Sequence, residues 1–173
     1  MKLFKKLTVI LFSTVILFSC TKEEDAPQDK SKDLLGTWNL TETSSEGTIV
    51  STQNGIQIES TYTSQGKDIH AEVTFTENPN AFESSGSYTS VVTTVTLGQT
   101  NTTEIPLNDF LGSGGWEING DTFTTSGNSE NTSGEIVELN ETTFKLKVAL
   151  DKEVANNGIN QHIVGTVLYV LKK

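Results

Sequence analysis

Cysteine, histidine and the carboxylates are where chemistry would start in this chain, and each is either rare or scattered. Among 173 residues there is one cysteine, Cys20, and two histidines, His70 and His162. Cys20 follows a basic head (Lys2, Lys5, Lys6), an apolar run from Leu7 to Phe18 and the small residue Ser19. That order places its thiol at the end of a secretory signal. Neither histidine has a partner at metal-ligand spacing and no second cysteine exists, so no metal site is expected. Serines are abundant, yet no Gly-x-Ser-x-Gly elbow occurs. No phosphate loop or dinucleotide fingerprint occurs either, and the acids never adopt the spacing of a calcium loop. A carboxylate pair assembled only by folding is the one enzymatic arrangement left open. The expectation is a non-enzymatic protein with no catalytic residue and no cofactor.

Composition narrows the partners. The chain has 12 lysines and no arginine against 22 acids, for a formal net charge of −10. Removing residues 1–19 takes away three lysines and no acid, which leaves −13. Recognition of phosphates and nucleic acids relies on basic clusters, above all on bidentate arginine. An acidic chain without arginine is therefore expected to bind no nucleic acid, and its charge keeps an exposed domain soluble. With Cys20 set aside, no disulfide is available, and the domain must hold together by burial alone. Four Asn-x-Ser/Thr triplets, at Asn39, Asn101, Asn131 and Asn140, read as turn and strand composition.

The N-terminal apolar run is too short to span a bilayer comfortably, since a spanning helix needs roughly 20 residues. Leu17-Phe18-Ser19-Cys20 resembles the lipobox of bacterial lipoproteins, although Phe18 is bulkier than the residue usual there. The resemblance implies cleavage before Cys20 and acylation of its sulfur and amino group. Two or more acyl chains anchor a protein stably, at about 0.8 kcal/mol per buried CH₂. The alternative is an ordinary secretion signal in which the cysteine is incidental. Thr21 to Asp33 has no aromatic or β-branched aliphatic residue and reads as a tether. Within it, Lys22-Glu23-Glu24-Asp25 resembles the surface-export signal of Bacteroidota lipoproteins; a plain solvated linker is the other reading. The expected organisation is thus signal peptide 1–19, lipidated cysteine and acidic tether 20–33, and one domain 34–173, held at the outer membrane by lipid.

From Leu34 onward, Thr, Ser, Val and Ile alternate between Gly/Asn turns, which predicts an all-β domain. Trp38 and Leu40 share one face of a first strand. Ile56, Ile58 and Tyr62 share a face after the Asn54-Gly55 turn. Ile69, Ala71, Val73 and Phe75 alternate with polar residues, as do Phe144, Leu146, Val148 and Leu150. Phe82 to Leu97 is a long strand whose apolar phase slips between Tyr88 and Val91, which suggests a bulge, with a reversal over 98–101. Asn119-Gly120-Asp121 joins two short strands as a hairpin. The last strand is expected from Ile163 to Leu171, with His162 at its start. Eight to ten strands with short connections allow a barrel or a two-sheet sandwich. Near-continuous hairpin connectivity favours an antiparallel up-and-down barrel, which also removes open edges.

Leu34-Leu35-Gly36-Thr37-Trp38-Asn39-Leu40 resembles the Gly-x-Trp opening strand of lipocalins, and Gly115–Phe123 and Ile136–Leu146 follow in the same order. Residues 34–173 are similar to the lipocalin-like domains carried by Bacteroidota lipoproteins. The resemblance implies a lipocalin-like β-barrel of 8–10 strands in which Gly36 allows a tight entry and Trp38 closes the floor. The chain lacks the later Thr-Asp-Tyr motif and the arginine that packs over the tryptophan; Lys172 is the nearest cation in sequence. An eight-stranded barrel is just wide enough to be filled by side chains or to hold one small ligand. If a pocket exists, Ile58, Tyr62, Val73, Tyr88 and Val148 are the expected lining. The expected function is carriage of a small apolar or amphipathic molecule by a monomer. The alternative is a filled barrel whose loops contact a protein or glycan.

Overall fold

The computed structural model describes residues 30–108, 110–127, 131–156 and 158–173. Cys20, the signal segment and the tether up to residue 29 lie outside the described residues. One helical turn, α1 (Ser31–Leu34), precedes nine strands: β1 (Gly36–Gln53), β2 (Ile56–Thr76), β3 (Ala81–Thr96), β4 (Gln99–Asn108), β5 (Ser113–Asn119), β6 (Thr122–Gly127), β7 (Ser133–Leu139), β8 (Thr143–Asn156) and β9 (Ile159–Lys172). Ser31, Lys32 and Asp33, read from sequence as the end of the tether, form most of α1.

All neighbours in the sheet are antiparallel. β1, β2, β3, β5, β6, β7, β8 and β9 follow one another around a ring, which the β1–β9 ladder closes. The protein is therefore an all-β antiparallel barrel with eight strands in the ring. β4 stands outside the ring and pairs only with β3. β3 serves two partners on one edge: its start, Ala81–Glu83, pairs with β5, and Ser87–Thr96 pairs with β4.

Strand length divides the molecule. β5, β6 and β7 have six or seven residues each, whereas β1, β2, β8 and β9 have 14 to 21. Near the turns at 77–80, 120–121 and 140–142 the ring is complete. Beyond the ends of β5–β7, only β8-β9-β1-β2-β3-β4 continue, as a curved six-stranded sheet open between β4 and β8. The long hairpins are reversed by two-residue turns with positive φ at both positions, Asn54-Gly55 (51° and 81°) and Leu97-Gly98 (50° and 78°). This is the twist-matched hairpin geometry that Asn-Gly favours.

The complete ring is filled by aromatic side chains. Phe75 is its hub, with ring centroids 5.8 Å from Phe123, 6.2 Å from Phe82 and Phe144, and 6.3 Å from Trp116. Three of these four contacts are edge-to-face, the arrangement preferred by aromatic quadrupoles. Trp38, Val73 and Phe123 are completely buried in the same cluster. The alternation read from sequence in β8 holds, since Phe144 and Leu146 face this core, and Leu171 of β9 joins them.

Three expectations are corrected. The apolar phase of β3 does not slip: Tyr88, Ser90 and Val92 stay on the inner side and Val91 faces out, opposite Gln65. The register shift lies on β2 between Lys67 and His70, where Asp68 has φ 53°. The reversal after β3 is confined to Leu97-Gly98, and residues 99–101 already belong to β4. The last strand begins at Ile159, so His162 sits within its ladder, opposite Glu153 and Val50.

If the aromatic hub carries the ring, Phe75→Ala should cost about 3–5 kcal/mol, the usual range for emptying a packed phenylalanine site. Ile58→Ala, at a position 41% exposed, should stay within about 1 kcal/mol. Urea unfolding of both variants checks the contrast; equal losses would place the core elsewhere.

Candidate functional site

The closed end is sealed by the residues of the Gly-x-Trp segment. Gly36 has φ 107°, a conformation that L side chains rarely adopt. It turns the chain from α1 into β1. Trp38 is wholly buried, and its Nε1–H donates to Leu34 O at 2.6 Å. Its ring meets Phe144 edge-on at 6.1 Å. The cation over the indole is Lys173, with Nζ 4.5 Å from the ring centroid, and not Lys172, whose Nζ donates to Thr143 Oγ1 at 2.8 Å. The strict alternation of β9 turns Lys172 away, and the following residue folds back over the floor. Lys173 Nζ also donates to Asp33 O at 3.0 Å, which ties the C-terminus to α1.

Above the aromatic plug lies a half-enclosed recess of about 450 Å³. Its apolar wall is Phe110, Leu111, Val148, Leu150, Val167 and Tyr169; its polar rim is Asn131, Thr132, Ser133, Asp151 and Lys152. The recess exists because β5–β7 stop short while β8 and β9 continue. Two sets of hydrogen bonds hold its rims. Ser84 N donates to Gly112 O at 2.8 Å, Ser84 Oγ donates to the same oxygen at 3.0 Å, and Leu111 N donates to Ser84 Oγ at 3.4 Å. On the other side Thr125 N donates to Thr132 O at 2.8 Å, and Thr132 N donates to Thr125 Oγ1 at 2.9 Å. Phe110 then packs on Tyr169 with centroids 5.6 Å apart. Burial pushes the Tyr169 phenol well above its ordinary pKa of 10, and the nearby Tyr88 adds to the shift. Both stay neutral donors at physiological pH.

The five residues expected to line a pocket end up in different places. Val148 lines the recess. Val73 lies in the solid plug below it. Tyr62 and Tyr88 are buried on the inner side of β2 and β3, and Ile58 is half exposed further along the same face of β2. The sequence reading missed Phe110 and Leu111, which sit in a connector without periodicity. Leu150 was read on the correct face but was not singled out as lining; Val167 and Tyr169 join it from β9.

Tyr62 occupies a surface prepared for it. In the β1–β9 ladder Gly47 pairs with Gly165. A Cβ at Gly47 would lie 2.9 Å from the Tyr62 ring, and one at Gly165 would lie 2.5 Å from its Oη. Each would also clash with backbone oxygen across the ladder. The two glycines thus leave a flat bed on which the phenol lies. Its Oη is buried without a hydrogen-bond partner among the described residues. Ser45 is near enough to pull the phenol's pKa down slightly against the larger effect of burial, but its hydroxyl is shared with Ser64 Oγ at 2.8 Å. A similar hydroxyl pair, Ser60 with Thr96 at 2.6 Å, and a donation from Gln161 Nε2 to Ser51 Oγ at 3.3 Å continue along the inner face.

Neither histidine lines the recess, but His162 bonds Asp151, which does. His70 is exposed on the outer side of β2, alternating with the buried Ala71. His162 is on the outer side of the β8–β9 ladder, with Nε2 donating to Asp151 Oδ1 at 2.8 Å and Nδ1 3.9 Å from Glu153 Oε1. The hydrogen bond to Asp151 is the main cause that holds its pKa above 6.5. All three side chains are exposed, so the trio is a solvated charge cluster. Among the described residues, no group of three His, Cys, Asp or Glu side chains could hold a metal ion.

Two measurements follow from this geometry. An unpaired buried hydroxyl costs about 1–3 kcal/mol, so Tyr62→Phe should leave stability unchanged or raise it; a loss above about 1 kcal/mol would reveal a partner for Oη. Because folding raises the His162 pKa, its contribution is complete below pH 6.5 and disappears as pH rises through the raised value. His162→Gln should therefore flatten that step in a stability-versus-pH series.

Comparison of the chain with protein-family models, with curated proteins and with solved structures finds no match, so the site is read from its own geometry.

Proposed function

We propose that this protein is a lipid-anchored, lipocalin-like binding protein of the bacterial outer membrane that takes up a small amphipathic molecule without transforming it. The recess of about 450 Å³ above the aromatic plug carries the reading. It falls within the size range of small-molecule sites, which are concave, mostly apolar and furnished with a few placed polar groups. Six apolar side chains form its wall, while the hydroxyls of Thr132 and Ser133 and the Lys152 ammonium border it. An amphipathic ligand suits that mixture better than a purely apolar one. The space is open on one side, so a ligand longer than the recess extends into the six-stranded trough.

The anchoring part of the proposal rests on the sequence around Cys20: a basic head, a short apolar run, a small residue and then the cysteine. The non-catalytic part rests on the site's inventory. The recess brings together apolar side chains with hydroxyls, Asn131, Asp151 and Lys152. Among the described residues its one acid is bonded to the exposed His162, not to a hydroxyl that it could activate as a nucleophile.

A second reading, contact with a protein or glycan through the open end, is favoured by Ile56 and Leu97. They are 67% and 84% exposed beside the hairpin turns. The two readings separate in one experiment. Native mass spectrometry of the mature chain from its own cells should show a retained small-molecule mass. Val148→Trp, which fills the recess, should abolish retention while leaving the fold intact by circular dichroism. A wild-type chain that retains nothing and takes up no amphiphilic fluorescent probe would leave only the surface-contact reading. Cys20→Ala should move the protein from the membrane fraction to the soluble one.

A further inference from the structure

The chain enters the barrel through its closed end and is fastened there. Lys30 Nζ pairs with Asp121 Oδ1 at 2.6 Å, Leu34 is fully buried, and Asp33 O accepts from Lys173 Nζ. The turns at 77–80, 120–121 and 140–142 share this end, whereas the turns at 54–55 and 97–98 and Gly158 lie at the other.

Two lengths then limit how the molecule can sit on a membrane. β1 has 18 residues, or about 60 Å at roughly 3.3 Å per residue. Tilted by about 40°, as barrel strands are, it still carries its tip about 45 Å from the closed end. From Cys20 to Lys30 the chain advances ten residues, at most about 35 Å when fully extended. If the hairpin tips touched the bilayer, the tether would fall about 10 Å short of the lipid surface.

We infer that the barrel stands on its closed end at the bilayer, with the tips of the β1–β2, β3–β4 and β8–β9 hairpins turned away from it. The inference rests on the proposed anchoring through Cys20. Charge opposes the remaining orientation, with the barrel on its side. At the closed end Lys30, Lys32, Lys172 and Lys173 balance Asp33, Glu77, Asp121 and Glu141. The strand walls carry Lys67, Lys145, Lys147 and Lys152 against twelve acids among the described residues. An anionic headgroup surface attracts lysines and repels acids within about a Debye length, so the closed end is the face it repels least. The surface offered to the aqueous side is then of a different kind. Residues 84–103 contain no charged side chain, and Ile56 and Leu97 project beside it.

The test uses the full lipidated chain in vesicles of phosphatidylcholine and phosphatidylglycerol that carry a quencher on their headgroups. Since Cys20 is consumed by lipid, a fluorophore can be placed through one added cysteine, Leu97→Cys at a tip or Glu141→Cys at the closed end. The label at position 141 should be quenched several-fold more than the label at position 97. Equal quenching, or stronger quenching at position 97, in a chain that floats with the vesicles overturns the orientation and leaves the anchoring intact. A chain that does not float overturns both.

Discussion

Everything else in this protein is arranged around the packing of aromatic rings on Phe75. A closed eight-stranded ring encloses a volume of nearly fixed size, set by strand number and tilt. Here that volume is occupied by Phe75, Phe82, Trp116, Phe123, Phe144 and Trp38, mostly edge to face. With no disulfide in the domain, this cluster is the main source of cohesion. It also decides where ligand space cannot be. The ring is solid at its closed end, so any molecule the barrel takes up must lie above the plug, where the ring is no longer complete.

Strand length sets what happens above the plug. β5, β6 and β7 are just long enough to complete the ring around the aromatic rings, and their neighbours run on without them. A gap in the wall follows directly. Ser84 and Thr125, both buried on the inner side, use their hydroxyls and backbone to hold the two connectors that frame the gap. The recess is therefore a product of backbone hydrogen bonding at its rims as much as of the side chains on its wall. These rim bonds hold both connectors in place, which leaves the shape formed in advance of any ligand.

Legibility from sequence followed the physics of each segment. Where one face is buried and the other solvated, alternation was plain, as in Phe144–Leu150 and Ile69–Phe75, and the faces were read correctly. β3 misled because threonine and valine are nearly interchangeable in shape. Val91 and Val95 lie on the outer side, half-buried and exposed respectively, while Ser90 and Thr94 face in, so hydropathy alone could not find the phase. β4 is exposed along its whole length and has no apolar stripe to announce it. The recess was the least legible feature. Phe110 and Leu111 reach it from a connector, where no periodicity applies, and Lys173 reaches Trp38 because the chain bends back after its last strand. Contacts of that kind depend on tertiary geometry rather than on spacing in sequence.

The single-layered trough has a thermodynamic consequence. Beyond the plug, the six long strands are held by backbone ladders and by hydroxyl pairs such as Ser60–Thr96, with no second layer over them among the described residues. Native proteins open in cooperative units whose free energies track buried apolar contact, from near zero up to the global value. The ring and the trough belong to different parts of that scale. The far ends of β1–β4, β8 and β9 form a unit that can loosen and re-form while the aromatic cluster stays intact. The same chain thus combines a rigid base with an adaptable rim, and amide exchange along any one long strand passes from slow to fast without crossing a domain boundary.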